Sequence, residues 1–396
     1  MKRSVLARKR LRDLWRHRGL VASIAAIVVL GTSSFCTMVS VYRNLSEARD
    51  GYYRRCRLAD FWVLLKRMPR SELTRIRQAI HVRELDGRIA FDITAAVPRA
   101  DVRPTTPRRS VPVRAAPLSE FRPGDRPSER WQPGNAPVPP FRWVSGRIVS
   151  IEPRAVLPPS GRPAGTGAAA SAATAVVPVN SLVLRRGWNL RPDGRREVLV
   201  DDAFARHNGL EPGDRLQLLL NEQLYDVTVV GTVQSPEFVY VLPPGGLIPD
   251  PQRFGVFFAR REFLEEAFDF GGSCNQLIGR LAPGQDVASV LRTVEALCRD
   301  YGVVDTIPRA RWLSNWFLSN ELRGLRVTTY FLPTLFFAVA ALLLDVLMMR
   351  LVRQQRTTIG TLKALGYDDG PIVRHYLGFA AVVGVLGGGL GVAVAW

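Results

Sequence analysis

The sequence predicts a membrane protein with three α-helical transmembrane segments and a large α+β extracytoplasmic domain between the first and second helices. Three observations lead there. The 396 residues are 47% hydrophobic and carry a net charge of +19, yet the mean hydropathy is near zero, as for lipid-embedded and aqueous parts joined in one chain. The apolar residues gather into three runs with little or no charge, at 20–42, 327–349 and 376–396. Between the first two runs, strand-like and helix-like patterns alternate over residues 43–326.

Residues 1–19 hold eight Lys or Arg against one Asp, which by the positive-inside bias keeps this segment in the cytoplasm. The run 20–42, "LVASIAAIVVLGTSSFCTMVSVY", is longer than the apolar core of a signal peptide and lacks a small-x-small cleavage site. It reads as transmembrane helix 1.

Within 43–326, residues 43–97 begin with a strand candidate at Asp60–Leu65. "RSELTRIRQAI" then places Leu73, Ile76 and Ile80 at helical spacing, and Arg88–Ala95 returns as a strand, a β-α-β pattern. Residues 98–167 contain 15 of the 28 prolines, too many for a helix or a central strand, so they read as a Pro/Arg-rich insert. Phe141–Ile151 is its strand-like exception. Residues 168–253 read as a β-rich subdomain: a strand, a short helix capped by Asp201 and Asp202, then two strands joined across Asn221 and Glu222. Residues 254–310 supply a second α/β half, expected to pack with the first around the smaller β unit.

The run 327–349 contains one charge, Asp345, and forms transmembrane helix 2. The loop 350–375 carries Arg350, Arg353, Arg356, Lys363 and Arg374 against Asp368 and Asp369, which places it in the cytoplasm and the large domain outside. Its "RTTIGTLKALG" has good helix formers, with Ile359, Leu362 and Leu365 spaced by three and Gly366 as a stop. Such a helix suits either docking to a soluble partner or lying on lipid. The last run, 376–396, pairs Gly384 with Gly388 and Gly387 with Gly391, a spacing that lets another helix approach closely.

Topology explains much of the positive charge, since the first 19 residues contribute +7 and the inner loop +3. No aromatic-basic stripe accompanies the rest, so no nucleic-acid partner is expected. No H-E-x-x-H or G-x-S-x-G motif occurs, and His81 and His207 are too far apart in sequence for a recognisable metal set; no metal and no catalytic residue is expected. Of the four cysteines, Cys274 and Cys298 are the favoured pair for a single disulfide, with buried free thiols as the alternative.

The stretch "RLVRQQRTTIGTLKALGYDDGPIVRHYLGFAAVVGVLGGGLGVAVAW" resembles the permease domain of FtsX/MacB/LolC-type ABC transporter subunits, and most of all their ten-span branch. That family has R-x-x-I-G-x-L-[KR]-A-[LI]-G after its second span, matched here by Arg356, Ile359, Gly360, Leu362, Lys363, Ala364, Leu365 and Gly366. "RDLWRHRG", "LADFWVLLKRMPRSELTRI" and "VVGTVQSPEFVYVL" are similar to the same branch. The resemblance implies that residues 356–366 contact a separate cytoplasmic ATPase. ATP and Mg would then be bound by that partner, since this sequence has no Walker A motif and is not expected to be an enzyme. It further implies an inner-membrane permease subunit that handles lipid, lipoprotein or peptide. A second permease half or a homodimer, membrane lipid and an envelope partner on the outer side are the other expected contacts. A non-transporting regulator of a wall hydrolase, or an anchored sensing module without an ATPase, stay open as alternatives.

The chain departs from the family at three places. Thr357 and Thr358 stand where an acidic residue is usual, and Asp345 stands where the branch has Asn. A carboxyl in hydrocarbon is costly, so Asp345 is expected to face other helices. Ending after three spans, the chain is expected to be the amino-terminal half of a larger permease.

Overall fold

The computed structural model describes residues 15, 18–98, 141–159, 177–243, 246, 248–366 and 368–396, so most of the Pro/Arg-rich insert lies outside the described residues. Tyr52–Phe317 form one compact unit, and Met1–Gly51 with Leu318–Trp396 form a second. Among the described residues, three helices are long and apolar enough to cross a membrane: Val21–Arg55, Leu313–Gln354 and Ile372–Ala395. The helix α1 (Arg18–Arg55) continues well past its apolar run; at 1.5 Å per residue its 38 residues extend roughly 57 Å, against about 30 Å of hydrocarbon.

In the large domain β1 (Phe61–Pro69) leads into α2 (Glu72–Ile80), which returns into β2 (Glu84–Arg88). After Ile89 the chain continues as β3 (Ala90–Pro98), β4 (Phe141–Ile151), β5 (Val156–Leu157), β6 (Leu182–Gly187) and β7 (Glu197–Asp201). Then come α3 (Asp202–His207), β8 (Arg215–Leu220), β9 (Gln223–Gln234), β10 (Phe254–Arg260) and α4 (Arg261–Ala267). The domain closes with β11 (Ser273–Arg280), α5 (Val287–Leu297) and β12 (Val303–Pro308).

Four of these strands make a sheet in the order β12-β1-β11-β2, with each neighbouring pair antiparallel. With α2 and α5 this is a ferredoxin-like β-α-β, β-α-β unit. Ile76 and Ile80 of α2 and Val290, Leu291 and Val294 of α5 bury against Phe61, Val63 and Leu277 of the sheet.

The other eight strands form a sheet in the order β5-β6-β9-β7-β10-β4-β3-β8, and an additional β8–β9 pairing closes six of them into a ring. Val144, Ile148, Val200, Phe204, Leu218, Val229 and Phe257 share its core. Asn221 and Glu222 both take positive φ, 46° and 65°, which matches the twist of a two-residue hairpin between β8 and β9.

Several readings of the sequence are corrected here. Arg88–Ala95, read as one strand, is two strands in different sheets: Arg88 pairs with Gln276 of β11, while Ala90 pairs with Val149 of β4. Ile89 between them is fully buried, so no polar break marks the switch. The side chain of Asn275, on β11, stitches the two sheets together, accepting from Ala90 N–H and donating to Ala90 C=O, both at 2.8 Å. Phe141–Ile151, the strand-like exception within the insert, is the strand β4, with Val144, Ile148 and Val149 buried; what the sequence did not show is its place in the sheet between β10 and β3. The β unit is also the larger sheet, because it takes β3, β4, β5 and β10 from outside residues 168–253.

The Cys274–Cys298 bridge is not formed: both residues, with Cys36 and Cys56, are free thiols. Both lie in the core under α2 and α5, where burial pushes Cys274 up to about 12 and Cys298 up to about 11. The Cys274 thiol is directed to the Met68 carbonyl at 3.5 Å. These are inert, protonated core side chains.

Asp201 caps α3, accepting from Ala203 N–H at 3.1 Å and Phe204 N–H at 3.2 Å. Burial nevertheless pushes its carboxyl up to about 6. A folded state that holds this proton more tightly than the unfolded chain loses stability as the pH rises through about 4–6, on the order of 3 kcal/mol, and no more above that window. Asp201→Asn keeps a cap acceptor without the charge. The variant is expected to lose that part of the slope and to melt higher than the parent above pH 6, in thermal unfolding compared across pH 4–8.

Candidate coupling segment, membrane bundle and charged hub

The helix α6 (Leu313–Gln354) breaks at Gln355, which has φ −99° and ψ 15°, and the chain continues as α7 (Arg356–Ala364) and then α8 (Asp369–Ala395). Gly366 ends the turn after α7 at φ +80°, a conformation a side chain disfavours, with its N–H donated to Lys363 C=O at 3.0 Å. The Tyr376 hydroxyl donates to Gln355 Oε1 at 3.0 Å, tying α8 to the break. Lys363 reaches Asp369 at 2.6 Å, an exposed pair worth at most about 1 kcal/mol.

The spacing by three does not make one apolar face. Ile359 packs inward on the cluster of Leu351, Ile372 and Tyr376, whereas Leu365 is 69% exposed. Each step of three residues falls about 60° short of a full turn, so six residues carry the chain a third of the way around. Arg356, Gly360, Lys363 and Ala364 are exposed as well; the side chain of Leu362 lies outside the described residues. The segment thus presents two cations and one protruding leucine, with Ile359 as its anchor.

The three apolar helices pack around Ile24, Leu347 and Val383. The glycine pairs of α8 differ in use. A Cβ on Gly387 would lie 2.8 Å from Val28 Cβ and 3.1 Å from the Ala25 carbonyl, and one on Gly391 would lie 2.6 Å from Thr32 Cβ and 2.9 Å from the Val29 carbonyl. This pair is taken by the chain's own first span. Around Gly384 and Gly388 a Cβ would meet nothing within 4 Å.

Asp345 does not face the other two apolar helices. It is exposed and has no polar partner among the described residues, because the inward stripe of α6 runs through Ala340, Leu344, Leu347 and Leu351 and leaves position 345 on another side.

Sequence reasoning missed a charged hub in the large domain. Glu237 is 1% exposed and takes a two-pronged bond from the Arg88 guanidinium, both contacts 2.5 Å. Arg88 also donates to Gln276 Oε1 at 2.7 Å, and the Trp62 indole donates to the same Glu237 carboxylate. Trp312, the residue before α6, stacks on Trp62 at 4.4 Å and donates to the Glu237 backbone carbonyl at 2.8 Å. The hub therefore joins β1, β2, β11 and the segment after β9 to the start of the second apolar helix. The nearest signal was "SPEFVYVL", an acidic residue among apolar ones; its partner Arg88 is 149 positions away.

Residues 330–396 match the family described as FtsX-like permease C-terminal. This segment is similar to the C-terminal part of FtsX-like permeases. The matched segment includes most of α6 and all of α7 and α8, hence all of residues 356–366. Among solved structures, the chain is similar to the periplasmic region of MacB from Actinobacillus actinomycetemcomitans, at 8% identity and a TM-score of 0.32, covering 66% of this chain and 92% of that one. It is also similar to the extracellular domain of the noncanonic ABC-type transporter YknZ from Gram-positive bacteria, at 9% identity and a TM-score of 0.30, covering 62% and 99%. Comparison with curated proteins finds no match.

Proposed function

We propose that this permease chain is the membrane subunit of an ABC-type transporter, with its amino terminus and residues 350–375 in the cytoplasm and the large domain outside. A separate ATPase docks on α7, and its ATP-driven movement passes along α6 to the large domain, which handles lipid, lipoprotein or peptide. Hydrolysis belongs to the partner. The positive-inside charge pattern supports the orientation. The observation that carries the reading is α7 itself: a short helix within the permease segment, tethered between two apolar helices, anchored by Ile359 and offering Arg356, Lys363 and Leu365 to solvent. The hub fixes Trp312, the residue before α6, within the large domain.

Leu365→Asp tests the docking without touching the bundle core. Purification in mild detergent from the native membrane, followed by mass spectrometry, is expected to recover an ABC ATPase with the parent chain and about tenfold less with the variant. Equal recovery, or an ATPase absent from both samples while the chain stays folded, would remove the reading.

A further inference from the structure

One cavity of the large domain sets charged side chains and the Asn180 amide among apolar ones. It holds about 300 Å³ between the two sheets, with β2 and Ile278 of β11 on one side and β4, the turn at Pro178–Asn180 and Phe258 of β10 on the other. Arg88 lines it but is engaged by Glu237, and Glu84 is engaged by Arg57. Three guanidiniums, of Arg70, Arg154 and Arg261, then share two carboxylates, Asp86 and Glu152. Arg154 holds Glu152 at 2.5 Å and Arg261 stands 3.2 Å from it, whereas Arg70 and Arg261 stand only 3.8 and 3.9 Å from Asp86, so it is Asp86 that is loosely shared.

Three buried donors on this lining have no partner among the described residues: Arg70 Nε, Arg261 Nε and Asn180 Nδ2. Asn180 is only 3% exposed, and its Oδ1 accepts from Ala59 N–H at 2.6 Å, so the amide orientation is set and the donor is left over. Arg57 nearby is held below its ordinary range by burial, then by the charges of Arg280 and Arg83, which shows cations crowded on this side of the domain. Buried donors without acceptors are costly, and a multi-oxygen anion satisfies several of them at once through charge-assisted bonds.

We propose that this inter-sheet cavity binds a ligand through a carboxylate or phosphate group, held by Arg70, Arg154, Arg261 and the Asn180 amide. Because the walls come from both sheets, occupancy ties the sheets together across the one-residue link at Ile89. The inference is independent of ATPase docking, so Leu365→Asp leaves it untouched.

The test is calorimetric titration of the full chain in uncharged detergent, in separate runs with inorganic phosphate, acetate and dihexanoyl phosphatidic acid. Saturable binding of at least one of them is expected, weakened about tenfold or more by Arg154→Gln and by Asn180→Asp. Arg154 is largely exposed, so its variant keeps the fold, and Asn180→Asp keeps the acceptor for Ala59 while replacing the free donor with a negative charge. Much tighter binding of phosphatidic acid than of phosphate would assign the anion to a lipid headgroup, and equal affinity would assign it to a free anion. Absence of saturable heat with all three probes up to about 10 mM, or unchanged affinity in variants that melt like the parent, would overturn the proposal. If Asn180→Asp lowers the melting temperature, Arg154→Gln alone decides.

Discussion

Glu237→Ala is expected to destabilise the large domain by about 3–5 kcal/mol, the cost of leaving Arg88 charged and buried without its partner. The side chains of Arg88 and Glu237 are 7% and 1% exposed, so the charge left on Arg88 is largely withdrawn from bulk solvent. Trp62 loses its acceptor as well. Trp312 keeps its bond, which goes to the Glu237 backbone, so the effect should begin at the sheet interface rather than at the start of α6. Glu237→Gln retains an acceptor for Trp62 and should fall between the parent and Ala. The double variant Arg88→Met with Glu237→Leu, which removes both charges and fills the space, should recover most of the loss. Tryptophan fluorescence during thermal unfolding reads this directly, because the Trp62–Trp312 stack lies on the hub. A melting temperature for Glu237→Ala within about 2 °C of the parent would show that the hub adds little.

Gly391→Val and Gly387→Val are expected to pry α8 from the first span, with little folded protein recovered from the membrane. At both positions an added Cβ meets a backbone carbonyl of α1 as well as a side chain, and the carbonyl cannot rotate away. Overpacking of this kind costs about 1–3 kcal/mol for one methylene in a tight core, and valine adds more than one. Gly388→Ala, one residue along, meets open space and should be recovered like the parent. The comparison needs only detergent extraction and size-exclusion profiles of the three variants. Equal recovery of Gly391→Val and Gly388→Ala would contradict the α1–α8 contact described above.

The apolar runs, the loop helix and the alternating α/β halves were legible because each is written in local periodicity and charge. Leu73, Ile76 and Ile80 form the inward face of α2 as their spacing requires, and Gly366 ends the turn after α7 as its freedom at positive φ allows. The helix α7 was legible as an element but not as a surface, since which of Ile359 and Leu365 turns inward depends on where Ile372 and Tyr376 lie. The glycine pairs were equally ambiguous. Both have the same spacing, and only the position of Val28 and Thr32 shows which one is occupied.

By itself the sequence determined the parts whose cause lies within a few residues: three long apolar stretches, caps and turns. The tertiary structure decided whatever depends on residues far apart in the chain. The split of Arg88–Ala95 between two sheets follows from β11 and β4 each claiming one side of Ile89. The central place of β4 follows from pairing with strands on either side of it in space, not in sequence. The Arg88–Glu237 hub exists because two sheets bring opposite charges together where water is excluded, and there a charge must find its partner through the fold rather than through its neighbours in the chain.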